Sequence, residues 1–394
     1  MEEIDKLHIK KIYFKLRVFI FTLLLSISCS TDPITVDSSN NGSGGNGTGT
    51  GLGGSSGGSG GSSGNSSSDL KIDNDLNKLF FLSDGVGFVI GDGIVIKTND
   101  NGDTWSKVKE SNNINFTSIY FENSQTGLIG GNDSFYSYLY LTKDGGFTWQ
   151  EIAKFWYSND RSENMSAISR NSAQKIIMFN NTYPNSSQTF GKVYTNNNSG
   201  QGNWNLSDLN FRSPGIKLAV SHQNFVYVAS TPYWTGSTYK TSIFASGYFL
   251  NNDISFDENR LDINVEINDL KFTNKYGYFV ADGGKIGISS NFQNWTVKPV
   301  NTNTSQNLVC IQFINDDIGY ILEEGGKLLK TFDAGLNWLE HYNLNNSSLN
   351  DFYFFSENKI IVIGNEGYLS ILNLMILLIK KLKILANSLK NVRY

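Results

Sequence analysis

A short motif recurs along this chain and constrains its fold more than any other feature. The segments "KTNDNGDTW", "LTKDGGFTW" and "KTFDAGLNW" share the pattern Thr-x-Asp-x-Gly-x-Thr/Asn-Trp, and degenerate copies end at Trp204 and Trp295. The full copies contain Thr98, Asp100, Gly102, Trp105, Thr142, Asp144, Gly146, Trp149, Thr331, Asp333, Gly335 and Trp338. Self-similarity of this kind indicates a structural unit that is repeated along the chain.

The sequence before each motif predicts short antiparallel strands. The segments "GFVIGDGIVIKT", "GYFVADGGKIGIS" and "GYILEEGGKLLKT" are rich in β-forming residues around a Gly-containing turn, and they begin at Gly87, Gly277 and Gly319. Further upstream, alternating stretches such as "LVCIQF" have the period of a half-buried strand. Each unit therefore reads as four strands, with the motif between the third and the fourth.

The region 69–372 is therefore predicted to be all-β, a single β-propeller of seven four-stranded blades with the motif as the turn between strands three and four. Six and eight blades are the alternatives. In such turns Gly adopts positive φ, and Asp and Thr side chains bind neighbouring backbone amides. A calcium loop needs more oxygen ligands, and a phosphate loop needs a Lys before a helix. We expect no metal and no cofactor.

The motif resembles the Asp-box, or BNR repeat, of the sialidase-like propellers. The longer unit "GFVIGDGIVIKTNDNGDTW" is similar to the repeat of the photosystem II stability and assembly factors, and the likeness extends over residues 79–364. This resemblance implies a seven-bladed propeller whose Asp-boxes lie on the rim away from the binding face. It also implies a role in binding or assembly, without catalytic residues.

A sialidase-like or other Asp-box glycoside hydrolase is the alternative function. A sialidase, as the resemblance implies, needs three Arg residues, a Tyr nucleophile with a Glu partner, and an Asp acid/base. The chain is poor in Arg, and its "FRSP" segment at 211–214 lies in mid-chain instead of before the first Asp-box. Other Asp-box hydrolases pair two propellers, whereas this chain has room for one. His222 and His341 are too isolated for a zinc site.

The N-terminal region is expected to export and anchor the domain. Residues 1–29 combine basic residues with the apolar run "VFIFTLLLSI" and end in "SISCS", which resembles a bacterial lipobox. Cys29 would then be the acylated mature N-terminus, and an ordinary cleaved signal peptide is the alternative. Residues 30–68 are rich in Gly, Ser and Asn and predict a flexible tether with a reach of about 30 Å. Ser30 favours the outer membrane over the inner membrane.

The C-terminal tail 373–394 departs from the repeat. Where a further Asp-box is due, the chain reads "NLMILLIKKLKILANSLKNVRY". The alternatives are an aberrant gene end, a helix that caps the last blade, and a basic amphipathic helix on a membrane. The last blade would lack its own fourth strand, and "LKI" at 70–72 is expected to supply it by pairing the N-terminus with the C-terminus.

Three inserted segments predict the binding surface. The segments "GNDSFYSY", "KFWYSNDRSENM" and "TPYWTGSTY" lengthen connections that are expected on the face away from the Asp-boxes. Exposed aromatic residues grouped in this way often mark a partner site. The candidate residues are Phe135, Tyr136, Trp156, Tyr157, Arg161, Tyr233 and Trp234. The alternative is that each ring folds down onto its own blade.

The expected partner is a protein or glycan of the cell envelope or the extracellular space. A monomer would bind it and would reach the membrane through the N-terminal lipid. A net charge of −4 gives no electrostatic reason to expect nucleic acid. Cys310 is the second of two cysteines, so we expect no disulfide in the mature protein and a small buried side chain at this position.

Overall fold

The computed structural model describes residues 72–156, 162–170, 175–182, 189–196, 204–208, 215–220, 225–246, 256–261, 263–302, 304–356 and 358–373. Every regular element in these ranges is a β-strand, which confirms the all-β class. Within the same ranges, no helix is long and apolar enough to cross a membrane. The signal segment, the tether and the tail from residue 374 lie outside the described residues.

The first six strands form one antiparallel sheet. They are β1 (Leu76–Phe81), β2 (Gly87–Thr98), β3 (Ser106–Phe121), β4 (Gly127–Asn132), β5 (Tyr136–Thr142) and β6 (Gln150–Trp156).

The other strands form five smaller antiparallel sheets in chain order. A four-stranded sheet contains β7 (Ser162–Arg170), β8 (Lys175–Thr182), β9 (Thr189–Asn196) and β10 (Asn205–Asp208). A five-stranded sheet contains β11 (Gly215–Val220), β12 (Val226–Ser230), β13 (Tyr233–Trp234), β14 (Tyr239–Ser246) and β15 (Phe256–Leu261).

Two more four-stranded sheets and a three-stranded sheet follow. The first contains β16 (Ile267–Phe272), β17 (Gly277–Ala281), β18 (Lys285–Ser289) and β19 (Thr296–Pro299). The second contains β20 (Leu308–Phe313), β21 (Gly319–Glu323), β22 (Lys327–Thr331) and β23 (Leu339–Asn343). The last contains β24 (Leu349–Phe354), β25 (Lys359–Gly364) and β26 (Leu369–Asn373).

Two long strands explain why the first sheet has six strands. β2 reverses direction near Gly93, which has a φ of 71°. Its Lys97 Nζ lies 5.8 Å from the ring centroid of Phe88, whereas an extended strand would hold these residues about 30 Å apart. β3 pairs with β2 over its first half and with β4 over its second half, 115–121. The sheet therefore contains two repeat units that share β3.

Seven strands of the described chain lie against one another in a closed ring. We call them the ring strands: β1, the second half of β3, β7, β11, β16, β20 and β24. Each contacts the next in this order, and β24 contacts β1. Each also pairs with the strand that follows it and has one bulge in that pairing. All seven contribute to the wall of one central channel.

Bulged residues tie ring strands to their neighbours. Four bulged residues each donate a side-chain hydrogen bond to a backbone carbonyl of the next ring strand. The accepting carbonyl belongs to the residue directly before the bulge in that strand. These bonds, which we call the ring clamps, are Asn77 to Phe116 (2.8 Å), Thr117 to Met165 (2.6 Å), Asn268 to Leu308 (3.0 Å) and Asn350 to Leu76 (2.9 Å). The last of these bonds joins the final ring strand to the first and closes the ring.

A Phe, a Gly and a Trp pack together in several units. In each of these units the ring strand ends with a Phe, and the strand that follows it begins with a Gly. A Cβ atom added to that Gly would clash with the Phe ring. These glycines are Gly87, Gly127, Gly277 and Gly319. The Phe ring packs edge-on against the motif Trp, with centroids 6.0 Å apart for Phe81 and Trp105 and 6.2 Å apart for Phe313 and Trp338. Phe313 also stacks on Tyr278 of the preceding unit at 4.1 Å. The Gly therefore leaves room for a ring that lies between units.

The last sheet has three strands among the described residues. The fourth strand expected at 70–72 falls mostly outside the described chain, and Ile72 does not lie in a strand. The segment before β1 nevertheless reaches this sheet, because the Gly367 N–H donates a hydrogen bond to the Asn74 carbonyl at 2.9 Å. The N-terminal chain thus meets the turn that precedes β26.

Replacing Asn350 by Ala should lower the free energy of unfolding by about 1–3 kcal/mol, because the carbonyl of the buried Leu76 would lose its side-chain donor. Denaturant unfolding followed by Trp fluorescence measures this change. Asn358→Ala is the control, since Asn358 is exposed in a turn and its loss should leave stability unchanged. Equal stability of Asn350→Ala and the wild type would contradict a closing role for this clamp.

Candidate functional site

The three full copies of the motif have the same hydrogen-bond geometry. In the first copy, Thr98 Oγ1 donates to Asp100 Oδ1 at 2.7 Å and accepts a hydrogen bond from the Gly102 N–H at 2.9 Å. The Thr104 N–H donates to Asp100 Oδ1 at 2.8 Å. The same bonds recur around Thr142, Asp144 and Gly146, and around Thr331, Asp333 and Gly335.

Both carboxylate oxygens of the motif Asp are bonded within the turn. Oδ2 of Asp100 accepts a hydrogen bond from the Thr104 hydroxyl at 2.6 Å, and Oδ2 of Asp333 accepts one from Asn337 Nδ2 at 2.8 Å. No cluster of three or more metal-ligating side chains occurs in the described part of the chain. The arrangement therefore closes a turn.

The motif Trp directly precedes the fourth strand of its unit. Trp105, Trp149 and Trp338 come immediately before β3, β6 and β23. Trp338 is buried, and its indole N–H donates to the Gly335 carbonyl at 3.1 Å. Together with the edge-on contacts to Phe described above, this places the Trp rings in the packing between strands and not on a binding surface.

Antiparallel pairing separates the motif turns from the inserted loops. In the first sheet Thr142 pairs with Gly127, and Gly127 pairs with Phe121, so this motif turn lies where the ring strand ends. Asn132 pairs with Asn115, so the β4–β5 loop lies where the ring strand begins. The connection between β12 and β14 likewise lies at the beginning of its ring strand, β11.

The β4–β5 loop holds two of the candidate aromatic residues. Asp133 Oδ1 accepts hydrogen bonds from the N–H groups of Phe135 and Tyr136 at 2.7 and 2.6 Å, which fixes a tight turn. Burial acts to raise the pKa of Asp133, but these bonds and one from the Tyr138 hydroxyl lower it overall. Phe135 at the tip is 66% exposed. The Tyr136 ring is covered, because Lys154 Nζ lies 3.7 Å from its centroid.

Two tryptophans are the other exposed candidates. Trp156 pairs with Tyr136 across β5 and β6 and is 63% exposed. Trp234 in β13 is 58% exposed, and its ring packs edge-on against that of Tyr239, with centroids 5.3 Å apart. These rings project from their own sheets into solvent.

The structure brings some of the candidate residues together and leaves others undescribed. Phe135, Tyr136 and Trp156 share one end of the first sheet. Tyr233 lies beside Trp234 in β13, at the corresponding end of the five-stranded sheet. Tyr157 and Arg161 lie outside the described residues.

The central channel was not predicted from the sequence. It is a cavity of about 730 Å³ enclosed by the ring strands. The charged residues in its lining are Lys78, Lys217, Asp269, Lys271, Asp282, Glu324 and Asp351. A charged channel of this size is large enough for a small polar ligand.

Most of these charges occupy one position of the repeat, directly after the bulge of each ring strand. We call these residues the ring positions; in chain order they are Lys78, Ser118, Ala167, Lys217, Asp269, Cys310 and Asp351. All of them line the channel. Aligning stretches such as "LNKLFF", "INDLKF" and "LVCIQF" on their final Phe would have revealed this column in the sequence.

The two carboxylates among the ring positions bind backbone groups. Asp269 Oδ2 accepts the Ile311 N–H at 3.1 Å, and Asp351 Oδ2 accepts the Leu79 N–H at 3.0 Å, each from the next ring strand. Burial acts to raise the pKa of Asp269, but the Lys271 ammonium, 3.2 Å from its Oδ1, lowers it overall. Burial prevails at Asp351, whose pKa is raised. Cys310 is buried at the same level, as expected.

The comparisons with known proteins agree with this architecture. No protein-family profile and no curated protein sequence matches the chain. Among solved structures, YCF48 bound to D1 peptide is 19% identical, with a TM-score of 0.59 over 77% of this chain and 93% of that chain. YCF48 from Cyanidioschyzon merolae is 15% identical, with a TM-score of 0.57 over 77% and 97%. Sqt1 from Saccharomyces cerevisiae is 12% identical, with a TM-score of 0.52 over 73% and 81%.

YCF48 is a photosystem II assembly factor with a β-propeller fold. The likeness extends over most of both chains, and it rests on the arrangement of strands because the sequences have diverged so far. The resemblance to assembly-factor propellers that the repeat indicates is therefore confirmed, and the chain has a β-propeller fold.

Protonating the motif carboxylates should destabilise the protein in acid. Hydrogen bonds from Thr148 lower the pKa of Asp144 to about 2, from an ordinary value of 3.8. Its contribution to stability is therefore complete above about pH 4 and is lost as the pH falls towards 2. We expect the melting temperature of Asp144→Asn to be lower than that of the wild type at neutral pH. The difference between the two melting temperatures should become smaller at pH 2.

Thermal unfolding between pH 7 and pH 2 tests this expectation. Asp92→Asn is the matched control, because Asp92 is an exposed carboxylate in the turn of β2. If the difference in melting temperature between Asp144→Asn and the wild type does not change with pH, the charge of Asp144 does not stabilise the turn.

Proposed function

We propose that this protein is a lipid-anchored, non-catalytic β-propeller that binds a protein partner through exposed aromatic residues on one face. The observation that carries the proposal is the exposure of Phe135, Trp156 and Trp234, each more than half accessible to solvent. All three lie at the end of their sheet where its ring strand begins. In the first sheet, the Thr142 motif turn lies at the opposite end.

The ring strands support a propeller of seven blades. Each ring strand begins one unit, β2 supplies two strands of the first unit, and β3 is divided between the first and the second. Five units then contain four paired strands, the β11 unit contains the short β13 in addition to four, and the last contains three described strands. In this assignment the Asp-box turns join the third and fourth strands of their blades, and the channel is the propeller axis.

A protein partner suits the aromatic surface. Large exposed apolar side chains grouped in one area usually mark an interaction site, and Trp and Tyr contribute strongly to such sites. YCF48, which shares the fold, has been solved in complex with D1 peptide, so a propeller of this kind binds a protein segment. A glycan of the envelope or the extracellular space is the alternative ligand of the same surface.

The channel carboxylates favour a role without catalysis. A glycoside hydrolase needs one carboxylic acid to protonate the leaving group and a second carboxylate as base or nucleophile. Asp269 accepts the N–H groups of Leu270 and Ile311, and Asp351 accepts those of Phe352 and Leu79. Carboxylates held by backbone donors on both oxygens are poorly placed to transfer protons.

The N-terminal sequence supports attachment to a membrane. In the proposed protein, Cys29 carries the lipid, and residues 30–68 hold the propeller away from the bilayer surface. The export signal places it in the cell envelope, and Ser30 directs it to the outer membrane. One propeller on one tether would act as a monomer.

Trp156→Ala and Trp234→Ala should each abolish partner capture, because truncation removes most of an exposed aromatic ring from the contact surface. The melting temperature should stay nearly unchanged, since neither ring is buried in the fold. Capture of partners from envelope extracts by immobilised wild-type and variant proteins measures the first effect, and thermal unfolding measures the second.

Leu336→Ala is the matched control, because Leu336 is 62% exposed in an Asp-box turn at the other end of its sheet. It should capture the same partners as the wild type. Captured material that survives protease treatment of the extract would identify a glycan. Normal capture by both Trp variants, or their unfolding, would rule out the aromatic surface as the binding site.

Cys29→Ala should move the protein from the membrane fraction to the soluble fraction, because no acyl chain could then be attached. Ultracentrifugation of lysed cells followed by immunoblotting measures the distribution. Cys310→Ala is the control, since this second cysteine is buried and its replacement should leave the protein on the membrane. Membrane retention of Cys29→Ala would refute the lipid anchor.

A further inference from the structure

Two lysines of the channel form no direct ion pair among the described residues. Lys78 and Lys217 occupy ring positions of β1 and β11, and both line the cavity. Within the described part of the chain, neither ammonium group forms a hydrogen bond or an ion pair. β1 and β11 are separated in the ring by β3 and β7 on one side and by three ring strands on the other. The two ammonium groups therefore face the channel from well-separated parts of its wall.

The charges of these lysines act on each other through the channel. Burial lowers the pKa of Lys217, and the positive charges of Lys78 and Lys271 lower it further, although the carboxylates of Asp269 and Glu266 act to raise it. A buried ammonium group that is repelled by a second one is stabilised by a negative charge between them. This effect requires only that both groups share the cavity, which its lining shows.

The other charged groups at the ring level are already satisfied. Asp269 and Asp351 accept backbone N–H groups, and Lys271 pairs with Asp269. Among the groups at this level, three ammonium groups therefore face two carboxylates. Asp282 and Glu324 also line the cavity, and their charges disfavour ligands with several negative charges.

We propose that the channel binds a ligand that carries a single carboxylate, held between the ammonium groups of Lys78 and Lys217. The neutral polar residues of the wall, among them Asn115, Ser166 and Asn307, suit a ligand with a polar body. The carboxylate belongs either to a free small acid or to an acidic side chain of a peptide. This site is separate from the aromatic surface, so either one can fail without the other.

Isothermal titration calorimetry of the purified full chain at constant ionic strength tests the proposal with two probes. Propionate represents a free acid, and a blocked Gly-Glu-Gly peptide represents an acidic side chain, with blocked Gly-Gln-Gly as its uncharged match. We expect saturable binding of at least one acidic probe and none of the Gln peptide. The probe that binds more tightly identifies the source of the carboxylate. Absence of saturable binding by both acidic probes would overturn the proposal.

Variants locate the binding in the channel. Lys217→Gln and Lys78→Gln should each weaken binding by about tenfold or more, because each removes one charge that contacts the carboxylate. Lys143→Gln is the matched control, since Lys143 is exposed in an Asp-box turn, and it should bind like the wild type. Equal weakening by Lys143→Gln would show that the probes respond to general surface charge, and the proposal would fail.

Stability measurements separate ligand binding from a structural role. Without ligand, the melting temperature of Lys217→Gln should equal or exceed that of the wild type. The substitution removes a buried positive charge that the charge of Lys78 repels. A binding loss that occurs only in unfolded variants, or unchanged binding by both Lys variants, would refute the site.

Discussion

The architecture depends on one hydrogen bond that recurs between neighbouring ring strands. A bulged residue turns its side chain sideways to the backbone carbonyl of the next ring strand, as Asn77, Thr117, Asn268 and Asn350 do. Separate sheets have no backbone ladder between them, so these side chains provide the polar contact that a ladder would provide. The residue that follows each bulge lines the channel. The same device therefore joins the blades and determines which residues line the channel.

Aromatic packing fills the outer part of the same junctions. The Phe that ends a ring strand lies over a Gly of its own sheet, beside the Trp of its Asp-box and against an aromatic ring of the preceding unit. Phe313 shows all of these contacts, with Gly319, Trp338 and Tyr278. A side chain at the Gly would occupy the position of the Phe ring. The motif turn thus has a packing role, since its Trp directly precedes the next strand.

The sequence predicts the parts of this fold that are encoded locally. The Asp-box, the Gly before the second strand and the alternating strands are each contained in a few consecutive residues, and together they indicate the propeller. The channel charges are not local, because Lys78, Lys217 and Asp351 line one cavity only when the ring closes. The hairpin within β2 near Gly93 and the sharing of β3 by two units also obscure the unit boundaries in the sequence.

The ring positions show how one repeat supports both structure and binding. Where the position holds Asp, as at Asp269 and Asp351, the short carboxylate reaches the backbone N–H of the next ring strand and stabilises the junction. Where it holds Lys, the ammonium group has no lone pair and cannot accept that N–H. Lys78 and Lys217 instead line the channel. Substitution at a single column of the repeat can therefore place a charge in the channel without altering the strands around it.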